Sequence, residues 1–193
     1  MDIIISDCSS VEDRLGWDRF VLDHECGTGY HLYSWRNVIS EVFGHDTIYL
    51  MGKNESGEIV CVAPLVILSS LLFGRFLISI PFLNYGGILA TNQETRASLE
   101  AYLEEIATSK EFEHVELRQQ EVVATSWVRS ERKVSMRLSL PSAYVDLQKQ
   151  FPSKLRSQVR RAQKEGMTAR VGGRECLDEF YAVFTRCMRD LGT

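Results

Sequence analysis

Residues 151–166 read FPSKLRSQVRRAQKEG. On a helix, Arg156, Arg160 and Lys164 fall at i, i+4 and i+8 and line up as one row of cations. Lys154 and Arg161 lie on the other flank, and Leu155, Val159 and Ala162 share an apolar stripe. The planar fork of arginine donates two hydrogen bonds to an oxyanion, so such a row suits a phosphate. Two readings stand. One is a site for a phosphorylated or nucleotide-linked substrate, or for an RNA backbone. The other is a solvated helix that makes surface ion pairs, although only Glu165 is at hand to neutralise it.

A second stretch of interest is PFLNYGGIL at 81–89. Adjacent glycines after a strand let backbone N–H groups approach an anion. Gly86 and Gly87 supply that backbone, and Asn84 and Tyr85 supply polar groups that a turn made only for packing would not need. A strand-ending turn accounts for the same residues. No P-loop and no G-x-G-x-x-G accompanies them.

The remaining chemistry-bearing residues are scattered. His24, His31, His45 and His114 show no i, i+4 metal spacing, and no metal site is expected. His45 follows Gly44, where a helix-capping role fits better than catalysis. Glu116 is expected to pair with Arg118 or Arg137. Cys8, Cys26, Cys61, Cys176 and Cys187 are odd in number and widely spaced, which points to inert thiols in a reducing, cytoplasmic setting. The start, MDIIISDCSS, has acids where a signal peptide has Lys or Arg.

The net charge of −4 excludes nucleic-acid binding by bulk electrostatics. Its distribution is uneven. Residues 149–174 hold eight Lys/Arg against one acid, and the rest holds 14 basic against 25 acidic residues. A basic strip on an acidic body implies an anionic partner at one place.

These residues need elements to hold them. Helices are expected at 11–20 and from a Thr28 cap to Phe43, the latter burying Leu32, Trp35, Val38, Ile39, Val42 and Phe43. A third runs from a Thr91 or Asn92 cap to about Ser109, with Leu99, Tyr102, Leu103 and Ile106 inward. Strands are expected at 47–51, 58–68, 73–80, 88–90, 114–118, 133–140 (KVSMRLSL) and 167–171. The apolar run 59–83 is long enough to suggest a membrane span, but Pro64, Arg75, Pro81 and the Ser69–Ser70 pair mark it as a hairpin of buried strands. Helices at 144–150, 152–166 and 177–191 complete the order. Helices, a strand meander, a helix and more strands make an α+β fold with a mostly antiparallel mixed sheet flanked by helices. GNAT-superfamily acyltransferases share that order.

The series YHLYSWRNVISEVFGH, IYLMGKNESGEIVCVAPLV, SLLFGRFLISIPFLNYGGILA and FPSKLRSQVRRAQKEG resembles FemAB-like proteins, in particular the branch associated with exosortase (PEP-CTERM) and exopolysaccharide gene clusters. LDEFYAVFTRCMRDLGT fits the same branch. The resemblance implies two GNAT-like domains: a first at 1–141, connecting basic helices at 142–166, and the truncated start of a second at 167–193. It implies acyl or aminoacyl transfer to a peptidoglycan or exopolysaccharide precursor, nucleotide-linked or lipid-linked. The donor would be acyl-CoA or aminoacyl-tRNA, with no bound cofactor. The partners would be that anionic precursor, tRNA and a peripheral membrane contact without a transmembrane segment. The family pattern R-x-x-[IV]-R-x-A-x-K-x-G falls on Arg156, Val159, Arg160, Ala162, Lys164 and Gly166. Where peptidoglycan-bridge enzymes often have Gly-Pro, this sequence has Gly86-Gly87. Lys154, Arg156, Arg160 and Lys164 are thus expected to bind the anion, and Asn84, Tyr85, Gly86 and Gly87 to line the cleft, with no catalytic base assigned. A non-catalytic binding or assembly module of an export system is the alternative.

Overall fold

The computed structural model describes residues 3–110, 112–120, 122–131, 134 and 136–192. The chain divides into two compact units, residues 1–136 and 137–193.

The first unit is built on one sheet. Its strands are β1 (Ile4–Asp7), β2 (Asp46–Lys53), β3 (Ile59–Ser70), β4 (Gly74–Ile78), β5 (Leu89–Ala90) and β6 (His114–Glu116). The order is β1-β2-β3-β4-β6, with β5 on the other part of β3. All pairings are antiparallel except β4 with β6. The parallel pair is joined through α3 (Gln93–Ser109), as a parallel crossover requires.

Strand alternation sorts the core into two layers. Leu50, Cys61, Ala63 and Leu65 face Leu99, Leu103 and Ile106 of α3. Their neighbours Tyr49, Met51 and Val62 face the other way, toward Trp17 and Val21 of α1 (Val11–Asp23) and toward Tyr33. Both faces of the central strands are therefore covered, which is why 59–70 reads as a continuous apolar run. The hairpin expected there is present, and among the described residues no helix is long and apolar enough to cross a membrane.

Caps explain the helix boundaries. Ser10 Oγ accepts from Asp13 N–H at 3.0 Å, and Asn92 Oδ1 accepts from Thr95 N–H at 2.8 Å. Thr28 caps a short 3-10 turn, Gly29–His31, rather than the long helix expected of it. The helix α2 begins later, at Ser34, and ends at Val42. Of the six apolar residues expected to be buried there, Ile39 is fully buried, while Val38, Val42 and Phe43 are exposed. A helix of nine residues presents too little length to bury that whole stripe.

Two expected strands are not found among the described residues. Lys133 and Ser135 lie outside the described residues, and Val134 with residues 136–140 is irregular. Val134, Met136, Leu138 and Leu140 are all exposed. Residues 167–171 are likewise irregular, and Met167 and Val171 are exposed. Alternation supplies a strand's faces but not its ladder, and no described strand pairs with either segment.

The second unit holds α4 (Tyr144–Gln150), α5 (Ser153–Lys164) and α6 (Leu177–Leu191). Pro152 stands just ahead of α5 and Gly166 just after it, as the sequence suggested. Leu177, Phe180, Tyr181, Phe184 and Leu191 of α6 are exposed, with Phe180 and Phe184 stacked at 5.5 Å.

Candidate functional site

The glycine stretch is fastened to the chain that leaves β6. Ser79 N–H donates to Glu116 O, and Ser79 Oγ accepts from Arg118 N–H at 2.7 Å. The Arg118 guanidinium then reaches the carbonyls of Pro81 and Leu83 and pairs with Glu116 at 2.7 Å. Gly86 N–H donates to Arg118 O at 3.0 Å. Gln119 completes the seam: its Oε1 accepts from Ile88 N–H at 2.8 Å and its Nε2 donates to Ile88 O at 3.0 Å. One side-chain amide thus does for Ile88 what a neighbouring strand would do. The space beside Gly87 is occupied by that same amide, and Ile80 lies 3.1 Å from where a Gly86 side chain would begin.

Gly86 and Gly87 are buried, Tyr85 is half-buried and Asn84 is exposed. Tyr85 meets Tyr30 edge-on at 5.1 Å, and Tyr30 packs against Trp35. Trp35 Nε1 donates to Gly29 O at 2.9 Å. His31 is buried nearby in the chain, with Nδ1 2.9 Å from Thr28 Oγ1. Burial, aided by the nearby His24 ring, lowers the His31 pKa to about 4, against hydrogen bonding to Thr28 and Gly87. His24 accepts from Cys26 N–H at Nδ1, so its Nε2 carries the proton donated to Ala90 O at 3.1 Å. The loop 24–35 and the loop 84–90 therefore form one hydrogen-bonded aromatic surface in the first unit.

The cationic row lies in the second unit. Lys154, Arg160 and Lys164 are exposed on α5 and Arg156 is half-buried. Arg161 pairs with Glu165 at 2.7 Å. Among the described residues no ion pair neutralises Lys154, Arg156, Arg160 or Lys164. Apart from Arg161–Glu165, the helix carries its cations without the acids that a solvated, salt-bridged helix uses, among the described residues.

A polar cavity of about 550 Å³ escaped the sequence reading. Arg14, Tyr33, Arg36, Asn37, Ser40 and Thr47 are among its lining residues. Arg36 holds Asp7 through two hydrogen bonds, of 3.2 and 2.9 Å, and also donates to Cys8 O. Its guanidinium lies 5.7 Å from the Tyr33 ring and 5.5 Å from the Tyr49 ring. Arg14 stacks over Tyr33 at 5.1 Å. Cys8 on this wall and Cys61 in the core are pushed up to about 11, chiefly by burial, so neither thiol is activated. Residues 33–40 gave only an apolar period in the sequence, which masked the polar face of the same helix. Among the described residues no group of His, Cys, Asp and Glu side chains could hold a metal ion.

No family model and no curated protein matches this sequence. Solved structures do. FemX is similar over 100% of this chain at 18% identity and a TM-score of 0.62, the match covering 51% of FemX. A GNAT family acetyltransferase of Staphylococcus aureus is similar over 72% of this chain and 100% of its own, at 14% identity and a TM-score of 0.45. The aminoglycoside 6'-N-acetyltransferase of Acinetobacter baumannii matches the same shares at 13% identity and a TM-score of 0.45. The chain spans about half the length of FemX. The likeness to FemX is one of fold: an α+β arrangement with a mostly antiparallel sheet flanked by helices.

Proposed function

We propose that this chain is part of an acyl or aminoacyl transferase of FemAB type, acting on a cell-envelope peptidoglycan or exopolysaccharide precursor. The observation that carries the reading is the fold shared with FemX across the whole chain, both units included. The unneutralised row on α5 supports it from the chemistry of the chain itself. Lys154, Arg156, Arg160 and Lys164 would hold the phosphate of a nucleotide-linked or lipid-linked substrate. Asn84, Tyr85, Gly86 and Gly87 would border the acceptor. In the reaction, an acceptor amine attacks the carbonyl carbon of an acyl-CoA thioester or an aminoacyl-tRNA ester. The C–S or C–O bond breaks, the thiol or ribose hydroxyl leaves, and the amine proton passes to a base that is not assigned. The protein's part is to orient the two reactants and stabilise the tetrahedral oxyanion.

One observation favours a non-catalytic binding or assembly module of an exopolysaccharide or exosortase-linked export system. The N–H groups of Gly86 and Ile88 are already engaged by Arg118 and Gln119, so neither is free to hold an oxyanion. Calorimetric titration of the full-length protein with a nucleotide-linked peptidoglycan precursor, acetyl-CoA and aminoacyl-tRNA separates the readings. The transferase reading expects binding that Arg156→Ala with Arg160→Ala weakens, and turnover with one donor. Unchanged binding in the double variant removes the anion site. Binding without turnover for any donor favours the module.

A further inference from the structure

The turn between β3 and β4 carries three large apolar residues where turns ordinarily carry Gly, Asn, Asp or Ser. Leu71, Leu72 and Phe73 are exposed to 107, 87 and 72% respectively. Among the described residues no other run of three consecutive large apolar side chains is exposed. The hairpin overhangs β2, while on its other side Glu113 N–H still donates to Arg75 O at 2.8 Å. Pairing of β2 with β3 begins at Asp46 with Ile67, and β6 joins β4 at Phe76. The pairs Leu68–Phe76, Ser69–Arg75 and Ser70–Gly74 continue past the end of β2. Three residues of strand extend about 10 Å, so Leu71, Leu72 and Phe73 project beyond the end of β2.

The tip is built rather than loose. Ser70 Oγ accepts from Leu72 N–H and from Phe73 N–H, each at 3.3 Å. Gly74 closes the turn with φ +85°, a conformation open to glycine. Two backbone donors that would otherwise require water are thereby satisfied within the turn. That lowers the cost of placing the turn against a medium without hydrogen-bonding groups. At the base of the tip stand two exposed cations, Arg75 and Lys110. Arg75 Nη1 donates to Lys110 O at 2.9 Å, and its guanidinium lies 4.9 Å from the Phe112 ring. Among the described residues one exposed acid, Glu113, lies against Gly74, and in the sequence Glu111 follows Lys110.

We infer that the Leu71–Leu72–Phe73 turn is a membrane wedge that seats the first unit on an anionic phospholipid surface. The tip is convex and carries no polar side chain, so it suits a fluid apolar phase that needs no matching shape. Arg75 and Lys110 stand at the level of the headgroups, where each basic residue attracts anionic lipid. A single small wedge gives reversible attachment, as one lipid chain does. The inference is independent of acyl transfer, because vesicle binding is read without donor or turnover.

Vesicle co-sedimentation of the whole chain tests it. The chain is expected to sediment with vesicles containing phosphatidylglycerol and more weakly with pure phosphatidylcholine. Leu72→Asp with Phe73→Asp is expected to lower the partition at least about tenfold, with an unchanged melting temperature because both side chains lie outside the core. Lys110→Glu is expected to lower it by about fivefold or more on the anionic vesicles alone. Equal sedimentation of the double variant and the parent overturns the wedge, as does a parent that binds neither vesicle. If the parent self-associates in sedimentation velocity, the double variant does not, and neither binds vesicles, the tip is a protein contact and the inference is wrong.

Discussion

Gln119 occupies the space that a side chain at residue 87 would need: its amide carbon lies 2.6 Å from where the first carbon would stand. Gly87 has no left-handed backbone to justify its glycine, so room is the reason. Gly87→Ala must expel the amide and release Ile88 N–H inside the protein, while Ile88 O keeps its bond from Arg96 Nη2 at 2.7 Å. A destabilisation of about 2–3 kcal/mol is expected, the scale of overpacking plus a lost buried hydrogen bond. Gln119→Ala alone loses the hydrogen bonds without overlap and is expected to cost about 1–2 kcal/mol. The double variant is expected to fall short of the sum by about 1 kcal/mol or more in urea melts. Additivity within about 0.5 kcal/mol would show that the two residues do not meet.

That seam also marks where reading the sequence ends. The hairpin 59–78 was legible because Pro64, Ser69–Ser70 and Arg75 interrupt the apolar run, and α3 because Leu99, Leu103 and Ile106 repeat at helical spacing. Between β2 and β3, Asn54 Oδ1 accepts from the N–H groups of Ser56 and Glu58. The pairing of Glu116 with Arg118 was among those expected. The first strand, Ile4–Asp7, went unread, although a run of isoleucines is its β-branched signal. Residues 133–140 and 167–171 failed in the opposite sense, because alternation carries no information about whether a partner strand exists. Gln119 was invisible for a related reason. It stands in a polar stretch, and only the fold brings it 31 residues back to Ile88. The cations of α5 were legible because helical spacing is local, whereas the Arg14–Tyr33–Arg36 wall is assembled from two helices.

Tyr49 is wholly buried among Trp17, Tyr33 and the Arg36 guanidinium, and its hydroxyl has no hydrogen-bond partner among the described residues. Burial pushes the phenol well up, so it stays protonated at any pH the fold survives. Removing an unsatisfied buried hydroxyl costs no hydrogen bond and relieves a desolvation penalty. Tyr49→Phe is therefore expected to keep or slightly raise the urea midpoint, against the usual loss of about 1 kcal/mol when a bonded tyrosine is truncated. A midpoint lowered by that amount would reveal a partner for the hydroxyl.

His31 predicts an acid-side instability. Its pKa falls from 6.5 to about 4 on folding, mainly by burial. Between those values the unfolded chain takes up a proton that the folded chain refuses, so stability falls as pH drops through the window. The full effect is about 3 kcal/mol below the folded pKa, of which about 2 kcal/mol is lost by about pH 5. His31→Gln is expected to flatten the dependence between about pH 6.5 and about pH 5. An unchanged slope in that variant would assign the titration to another group.

The last prediction separates the cations of α5 by their partners. Arg161 is held by Glu165 at 2.7 Å, while Arg156 and Arg160 meet no acid among the described residues. If the row binds phosphates, Arg156→Ala and Arg160→Ala should each weaken tRNA binding and reduce the dependence of log K on log salt by about 0.7, the loss of one phosphate contact on a single strand. Arg161→Ala should change neither by a comparable amount, because its charge is already partly committed. Binding isotherms at several salt concentrations read both quantities. Equal slopes for all three variants would mean that the helix contributes net charge alone and that the spacing of Arg156 and Arg160 does not select the anion.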